Sequence, residues 1–220
     1  KRLYITINKS LIIINKNEIT TMVTERKTSD DVLGIVLKNP FANHTITSIA
    51  KQLHKTRQGV WRVLNALEKE GLVLVEQVQK TRTSTALIML NWKSPITEQT
   101  TSLLLTKESI VQERWRVNFE ELKPHVEFLI LFGSILHSPK EANDIDILAV
   151  VQKKKFKIVE HIVMSIQKTQ EKKIHLIDTT KEEFKKELKK PNETYREILR
   201  KGVVLYGQEN FTRYIRGMGI

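Results

Sequence analysis

Two aspartates separated by a single residue carry the most chemical information in this chain. Asp144 and Asp146 lie in the run Asn-Asp-Ile-Asp-Ile-Leu-Ala-Val-Val, residues 143–151. On a β-strand successive side chains point to opposite faces, so the two carboxylates share one face while Ile145 and Ile147 turn to the other. Carboxylates that close repel each other unless a cation lies between them. Such oxygen donors suit Mg²⁺, which keeps several waters and accepts phosphate oxygens as further ligands. Upstream, Gly133-Ser134 directly follows an apolar run. A glycine there lets a polyphosphate approach the backbone. A helical turn opening at Ser134 would offer its N–H groups and hydroxyl to phosphate. Alone, an Asp-X-Asp is ordinarily a solvated pair and a Gly-Ser an ordinary turn. Here nine residues separate Ser134 from Asp144, which is close enough to build one site.

Several elements must position these groups. Val126–Phe132, VEFLILF, reads as a buried strand ending at Gly133, and Asp144 opens the next strand. Phe156–Lys168 carries Phe156, Val159, Ile162, Val163 and Ile166 at helical spacing, an amphipathic core helix and not a membrane binder. Lys173–Asp178, KIHLID, reads as the following strand. Lys107–Lys123 reads as one helix with Ile110, Val111, Trp115, Val117 or Asn118, and Leu122 on a partly apolar face, stopped by Pro124. The lysine runs at 153–157, 172–173, 185–186 and 189–190 read as solvated helix faces.

The apolar strand, the Gly-Ser, a spacer of about ten residues and an Asp-apolar-Asp opening a second strand together resemble the nucleotidyltransferase superfamily of DNA polymerase beta. The similarity is greater to its small prokaryotic branch, the minimal nucleotidyltransferases, and extends over about residues 108–216 with the ending YREILRKGVVLYG. The resemblance implies Mg²⁺-dependent, in-line transfer of a nucleotidyl group from an NTP. Asp144 and Asp146 would be the catalytic, metal-binding carboxylates, and Gly133 and Ser134 the nucleotide-binding turn. Two departures stand out. After Gly-Ser the branch is often basic, whereas here Ile135-Leu136-His137-Ser138 follows and Lys140 is the only lysine or arginine before Asp144. The superfamily also places a third carboxylate on the next strand. In this chain the strand register puts His175 at that position, and Asp178, three residues on, faces away unless the register differs. His175 also reads as a plain solvent-facing strand residue, and His137 as a loop histidine without a special role.

Residues before about 93 have a different pattern. Asp30 and Asp31 can cap a first helix that runs through Lys38 and is stopped by Pro40. A second helix spans about Thr47–His54, with Ile49, Ala50 and Leu53 inward. A third spans Arg57–Glu70, with Val60, Val63, Leu64 and Leu67 at helical spacing and Gly71 as a left-handed cap. Leu72–Gln77 and Thr85–Leu90 read as strands around the polar tip of residues 78–84. Helix, helix, turn, helix and hairpin in this order resemble the winged helix-turn-helix of prokaryotic transcription regulators. The resemblance implies double-stranded DNA binding, with Arg57, Gln58, Trp61 and Arg62 on the groove-facing helix and Lys80 and Arg82 on the wing. A winged helix used for protein contact or dimerisation is the other reading, in which Trp61 packs against a partner subunit. Residues 1–22, rich in Ile, Thr and Asn, read as a hairpin or edge strand that is either peripheral or foreign to the natural product, since a natural-looking start follows at Met22.

The expected fold class is therefore α+β. Residues 1–29 form an N-terminal segment of uncertain role, 30–93 a winged helix-turn-helix domain, 94–107 a Pro- and Ser/Thr-marked linker, and 108–220 a nucleotidyltransferase domain with a mixed sheet. Charge supports a polyanionic partner. The chain has 37 Lys and Arg against 25 Asp and Glu, net +12. Residues 1–92 carry 14 basic against 7 acidic side chains, so 14 − 7 = +7 falls there. A basic solubilising surface is the plainer explanation of the same numbers. No apolar run approaches the roughly 20 residues of a membrane span, and no secretory signal pattern opens the sequence. The absence of cysteine excludes disulfide and Cys-ligated metal scaffolds and fits a reducing, cytoplasmic compartment. Three functions accord with these features. One is a DNA-binding nucleotidyltransferase acting on an unknown acceptor. Another is a non-enzymatic transcription regulator whose transferase fold senses nucleotide or is degenerate. The last is an antitoxin-type nucleotidyltransferase that modifies a separate helical toxin. Winged helices commonly bind as dimers, which favours a homodimer.

Overall fold

The computed structural model describes the backbone of all residues except 1, 8–9, 81–82, 191–192 and 219–220, and the side chains outside 1–25, 79–84, 191–192 and 219–220. The chain divides into two units, one of Lys1–Leu33 with Asn43–Asn91 and one of Gly34–Ala42 with Trp92–Ile220.

In the first unit β1 (Arg2–Ile7) and β2 (Ser10–Asn15) pair antiparallel. Helix α1 (Lys16–Lys38) follows at once. It starts well before Asp30, where the sequence suggested a cap. No Gly or Pro occurs between Lys16 and Leu33 to interrupt it, so helix propensity carries through the polar stretch. Asp31 thus lies inside the helix, and burial pushes its carboxyl up. Helix α2 (Ile46–Gln52) opens on a capping box in which Thr45 and Ser48 satisfy each other's backbone N–H. It is shorter than expected, because His54 adopts a left-handed φ of 52° in the turn. Helix α3 (Arg57–Lys69) is capped by the Thr56 hydroxyl, which accepts from the Gly59 N–H, and buries Val60, Val63, Leu64 and Leu67. Strands β3 (Val73–Lys80) and β4 (Thr83–Leu90) form an antiparallel hairpin. Thr45 bridges to Leu87, so the segment before α2 is tied to the hairpin at a single antiparallel bridge.

The second unit begins with a correction. Residues 94–107, expected as a linker, are mostly helical: α4 spans Pro95–Val111, with Pro95 in its first turn. Its hydroxyls bond back to the helix itself. Thr101 donates to the Thr97 carbonyl at 2.7 Å, Thr106 to Ser102 at 2.9 Å and Ser109 to Thr106 at 2.9 Å. A Ser/Thr-rich sequence can thereby enter a packed helix without orphaned polar groups. The expected helix over 107–123 is also broken. Gln112, at φ −99° and ψ 39°, separates α4 from α5 (Glu113–Asn118), and a 3₁₀ turn at Glu120–Leu122 follows. Trp115 and Leu122 are buried, but Ile110, Val111 and Val117 are exposed, so the apolar face read from the sequence is not one core face.

A four-stranded mixed sheet lies at the centre, ordered β7-β6-β5-β8. Strand β5 (Phe128–Phe132) pairs antiparallel with β6 (Asp144–Val150) and with β8 (Val203–Tyr206). Strand β6 pairs parallel with β7 (Lys173–Thr179). Helices α6 (Phe156–Gln167), α7 (Lys181–Lys189), α8 (Glu193–Lys201) and α9 (Gln208–Arg216) complete the unit. Ile145, Ile147 and Ala149 of β6 join Trp115, Phe119 and Val159 in one core. The opposite face, which holds Phe128, packs against the rings of Phe184, Phe211 and Tyr214. Lys38, almost fully buried, donates to Glu108 at 2.5 Å and to the Gly202 carbonyl at 3.0 Å. A charge so placed needs both partners to offset its desolvation.

Candidate active site

Strand alternation puts Asp144 and Asp146 together on the sheet face opposite Ile145 and Ile147. Both carboxylates are half-buried at the start of β6. Phe132 pairs with Asp146 across the antiparallel ladder, which brings the residue after β5, Gly133, alongside that carboxylate. Gly133 has φ 82° and ψ −165°, a region essentially restricted to glycine. A Cβ added there would lie 2.3 Å from Asp146 Oδ2. The glycine expected to admit a phosphate thus also makes room for the carboxylate itself. Ser134 is exposed and opens a 3₁₀ turn to Leu136, anchored by the buried Ile135. The Ser138 N–H donates to the Ser134 carbonyl at 2.8 Å, and Lys172 donates to the Ala142 carbonyl, so the loop back to β6 is tied down.

His175 enters the same group. In the parallel register it lies opposite Asp146, with Nδ1 3.4 Å from Asp146 Oδ1 and 3.8 Å from Asp144 Oδ2. These distances are long for good hydrogen bonds. Asp178 pairs with Ala149 and lies on the other face of the sheet, away from the two aspartates. Among the described residues no group of three or more His, Asp or Glu is placed to hold a metal ion. Two partly exposed carboxylates on one strand face fit an ion that completes its shell with substrate oxygens and water, which is how Mg²⁺ is commonly bound. They do not form an all-protein cage.

A cleft of about 330 Å³ adjoins the turn. One wall is Phe132, Gly133, Ser134, Leu136 and His137, and the other is Thr194, Glu197, Ile198 and Lys201 of α8. Lys201 donates to Glu197 and holds its carboxyl below the usual range. The sequence reading did not assign α8 to the site. Its only trace there was the segment YREILRKG, read as part of the family-like ending and not as a wall.

Residues 117–211 match the family model described as Polymerase beta, Nucleotidyltransferase. The match covers the mixed sheet, the Gly-Ser turn, both aspartates, His175 and α8, and supports a nucleotidyltransferase reading of this part of the chain. No curated protein and no solved structure matches the chain. No helix among the described residues is long and apolar enough to cross a membrane.

In the first unit Arg57, Gln58, Trp61 and Arg62 all lie on the exposed face of α3, opposite its buried stripe. Trp61 is 40% exposed, an unusual state for so large an apolar ring. Lys80 ends β3, and its side chain lies outside the described residues, as does the whole of Arg82.

Proposed function

We propose that the second unit transfers a nucleoside monophosphate from an NTP to an acceptor, and that the first unit carries it to duplex DNA as a winged helix-turn-helix. The observation that carries the transferase reading is the placement of Asp144 and Asp146 on one face of β6, both within 3.8 Å of His175, with Asp146 against the Gly133 turn that borders the cleft. Asp144 and Asp146 would hold Mg²⁺ together with the triphosphate. Magnesium supplies charge neutralisation for the bond that forms at the α-phosphorus and for the departing pyrophosphate. Gly133 leaves room for the Asp146 carboxylate against the turn, and the Ser134 hydroxyl binds a phosphate oxygen. Phe132, Leu136 and Ile198 give the cleft apolar surface for a base. Incubation with each labelled NTP, Mg²⁺ and cell lysate tests the reading: a labelled acceptor that disappears in Asp146→Asn supports it, and no label with any NTP defeats it.

The DNA reading is supported by the exposed Arg57, Gln58, Trp61 and Arg62 on one helix face and by the +7 balance of residues 1–92. Failure to retard any duplex at low salt would remove it. One observation favours a second reading of the transferase unit, a regulator that senses nucleotide without transferring it. His175 stands where the family resemblance calls for a third carboxylate. In that case NTP and Mg²⁺ stabilise the protein but no acceptor is labelled.

A further inference from the structure

The second wall of the cleft carries a charged pair to which the transfer chemistry assigns no role. Thr194, Glu197, Ile198 and Lys201 fall at i, i+3, i+4 and i+7 of α8, so they share one face of the helix, and that face lines the cleft. Ile198 is buried and supplies the apolar part of this wall. Glu197 and Lys201 are joined through Glu197 Oε1 and remain 47 and 58% exposed. Glu197 Oε2 accepts no hydrogen bond among the described residues, and Lys201 keeps N–H groups to spare. The pair therefore offers one donor followed by two acceptors. Across the cleft Phe132 lies on the strand face of Asp146, its partner in the ladder. A base held among Phe132, Leu136 and Ile198 has this pair in the same cleft to meet its edge.

We propose that Glu197 and Lys201 select guanine, so that GTP is the preferred nucleotide; this rests on the reading of the cleft as the base site. Guanine presents O6, N1–H and the N2 amino group in line along one edge, an acceptor followed by two donors. Lys201 donates to O6, and the two carboxylate oxygens of Glu197 accept from N1–H and from the N2 amino group. The carboxylate is then engaged through both oxygens, the strong form of a charge-assisted contact. No other base matches all three positions. Adenine gives an N6–H to Glu197 and takes a bond from Lys201 at N1. Cytosine does the same with its N4 amino group and N3. Uracil fits O4 and N3–H but sets O2 against the second carboxylate oxygen. Each of these forms two bonds where guanine forms three, and one more hydrogen bond to a charged group is worth on the order of tenfold or more in affinity. As an exposed i,i+4 pair, Glu197 and Lys201 add little to the stability of α8. Their place in the lining of the cleft is what gives them a role.

Titration calorimetry of the full chain with Mg²⁺ and each of GTP, ATP, CTP and UTP tests the assignment. GTP should bind on the order of tenfold or more tightly than the other three. Inosine triphosphate, which is GTP without the N2 amino group, loses the third bond and should bind like ATP. In Glu197→Gln an amide N–H₂ replaces one acceptor oxygen and meets the N2 amino group, so GTP should fall to the level of ATP while ATP affinity is little changed. The inosine nucleotide tests the same bond in the unaltered protein. Equal binding of the four nucleotides, tighter binding of ATP, inosine triphosphate that binds as well as GTP, or a GTP preference that survives in Glu197→Gln each overturns the guanine assignment and leaves the transferase reading standing. Binding of no nucleotide at all overturns the transferase reading and the assignment with it.

Discussion

Gly133→Ala separates the two reasons for a glycine at the turn. The first is backbone conformation: at φ 82° and ψ −165° a side chain costs about 1–3 kcal/mol. The second is the Asp146 carboxylate, 2.3 Å from the new Cβ. Relieving that overlap means swinging Asp146 off its rotamer, at about 0.5–1.5 kcal/mol. The sum, about 1.5–4.5 kcal/mol, is a large part of a typical domain stability of roughly 5–15 kcal/mol but leaves the domain folded. Urea denaturation followed by tryptophan fluorescence, with Trp61 and Trp92 replaced by Phe so that only the buried Trp115 reports, reads the loss in this unit. The same substitution in an Asp146→Ala background should cost about 1 kcal/mol less, because the overlap is gone and only the backbone strain remains. Displacing Asp146 should also abolish the rise in melting temperature caused by Mg²⁺ and NTP. A cost below about 0.5 kcal/mol, or an equal cost in both backgrounds, would refute the steric coupling of Gly133 to Asp146.

Asp146→Asn keeps the shape of the site but removes one charge, so the Mg²⁺-dependent part of the NTP-induced thermal shift should collapse while duplex retardation is unchanged; full retention of that shift would remove Asp146 from the metal site. His175→Asp adds the carboxylate that the family pattern calls for, in the register already occupied by His175, and should strengthen Mg²⁺-dependent stabilisation by NTP; weaker stabilisation would show that the imidazole supports binding. Arg57→Ala should cost about 1–3 kcal/mol of DNA affinity and relax sequence preference, whereas Lys80→Ala should weaken all sequences alike and flatten the salt slope in retardation titrations. Glu127 accepts from Lys181 and then from Gln152, and these bonds hold its carboxyl below the usual range against the opposing effect of burial. Its stabilisation is therefore present above the ordinary glutamate value of about 4.3 and is lost as pH falls through the lowered folded value. Glu127→Gln should lower stability most near neutrality, and the difference from wild type should vanish in acid; denaturation curves with a constant difference across pH would contradict this.

Much of the site could be read from the sequence because it is built on strands. Alternation alone puts Asp144 and Asp146 on one face, and an apolar run ending in Gly-Ser marks the turn. Contacts remote in sequence were not visible. The cleft's second wall comes from Thr194, Glu197, Ile198 and Lys201, about sixty residues beyond the turn, and no local periodicity signals that α8 returns to it. Helix α4 was hidden for another reason. Its serines and threonines resemble linker composition, and only the bonds from Thr101, Thr106 and Ser109 to preceding carbonyls reveal how a helix accommodates them. The early start of α1 was missed because Asp30 and Asp31 look like caps, although nothing upstream breaks the helix.

The identity of the third site residue follows from core packing more than from the site itself. Ile174 is buried and Leu176 packs against the same core, and in the parallel ladder they stand beside Ile145 and Ile147. His175 and Ile177 must then turn to the Asp146 face, and Asp178 to the Ala149 face. Bringing Asp178 to the aspartates would require an odd-numbered slip of β7, which would carry Ile174 and Leu176 out of the core. The buried Ile174, at roughly 1.5–3 kcal/mol, and the partly buried Leu176 oppose that slip. The register of β7 is therefore set by the core, with His175 and not Asp178 beside Asp144 and Asp146.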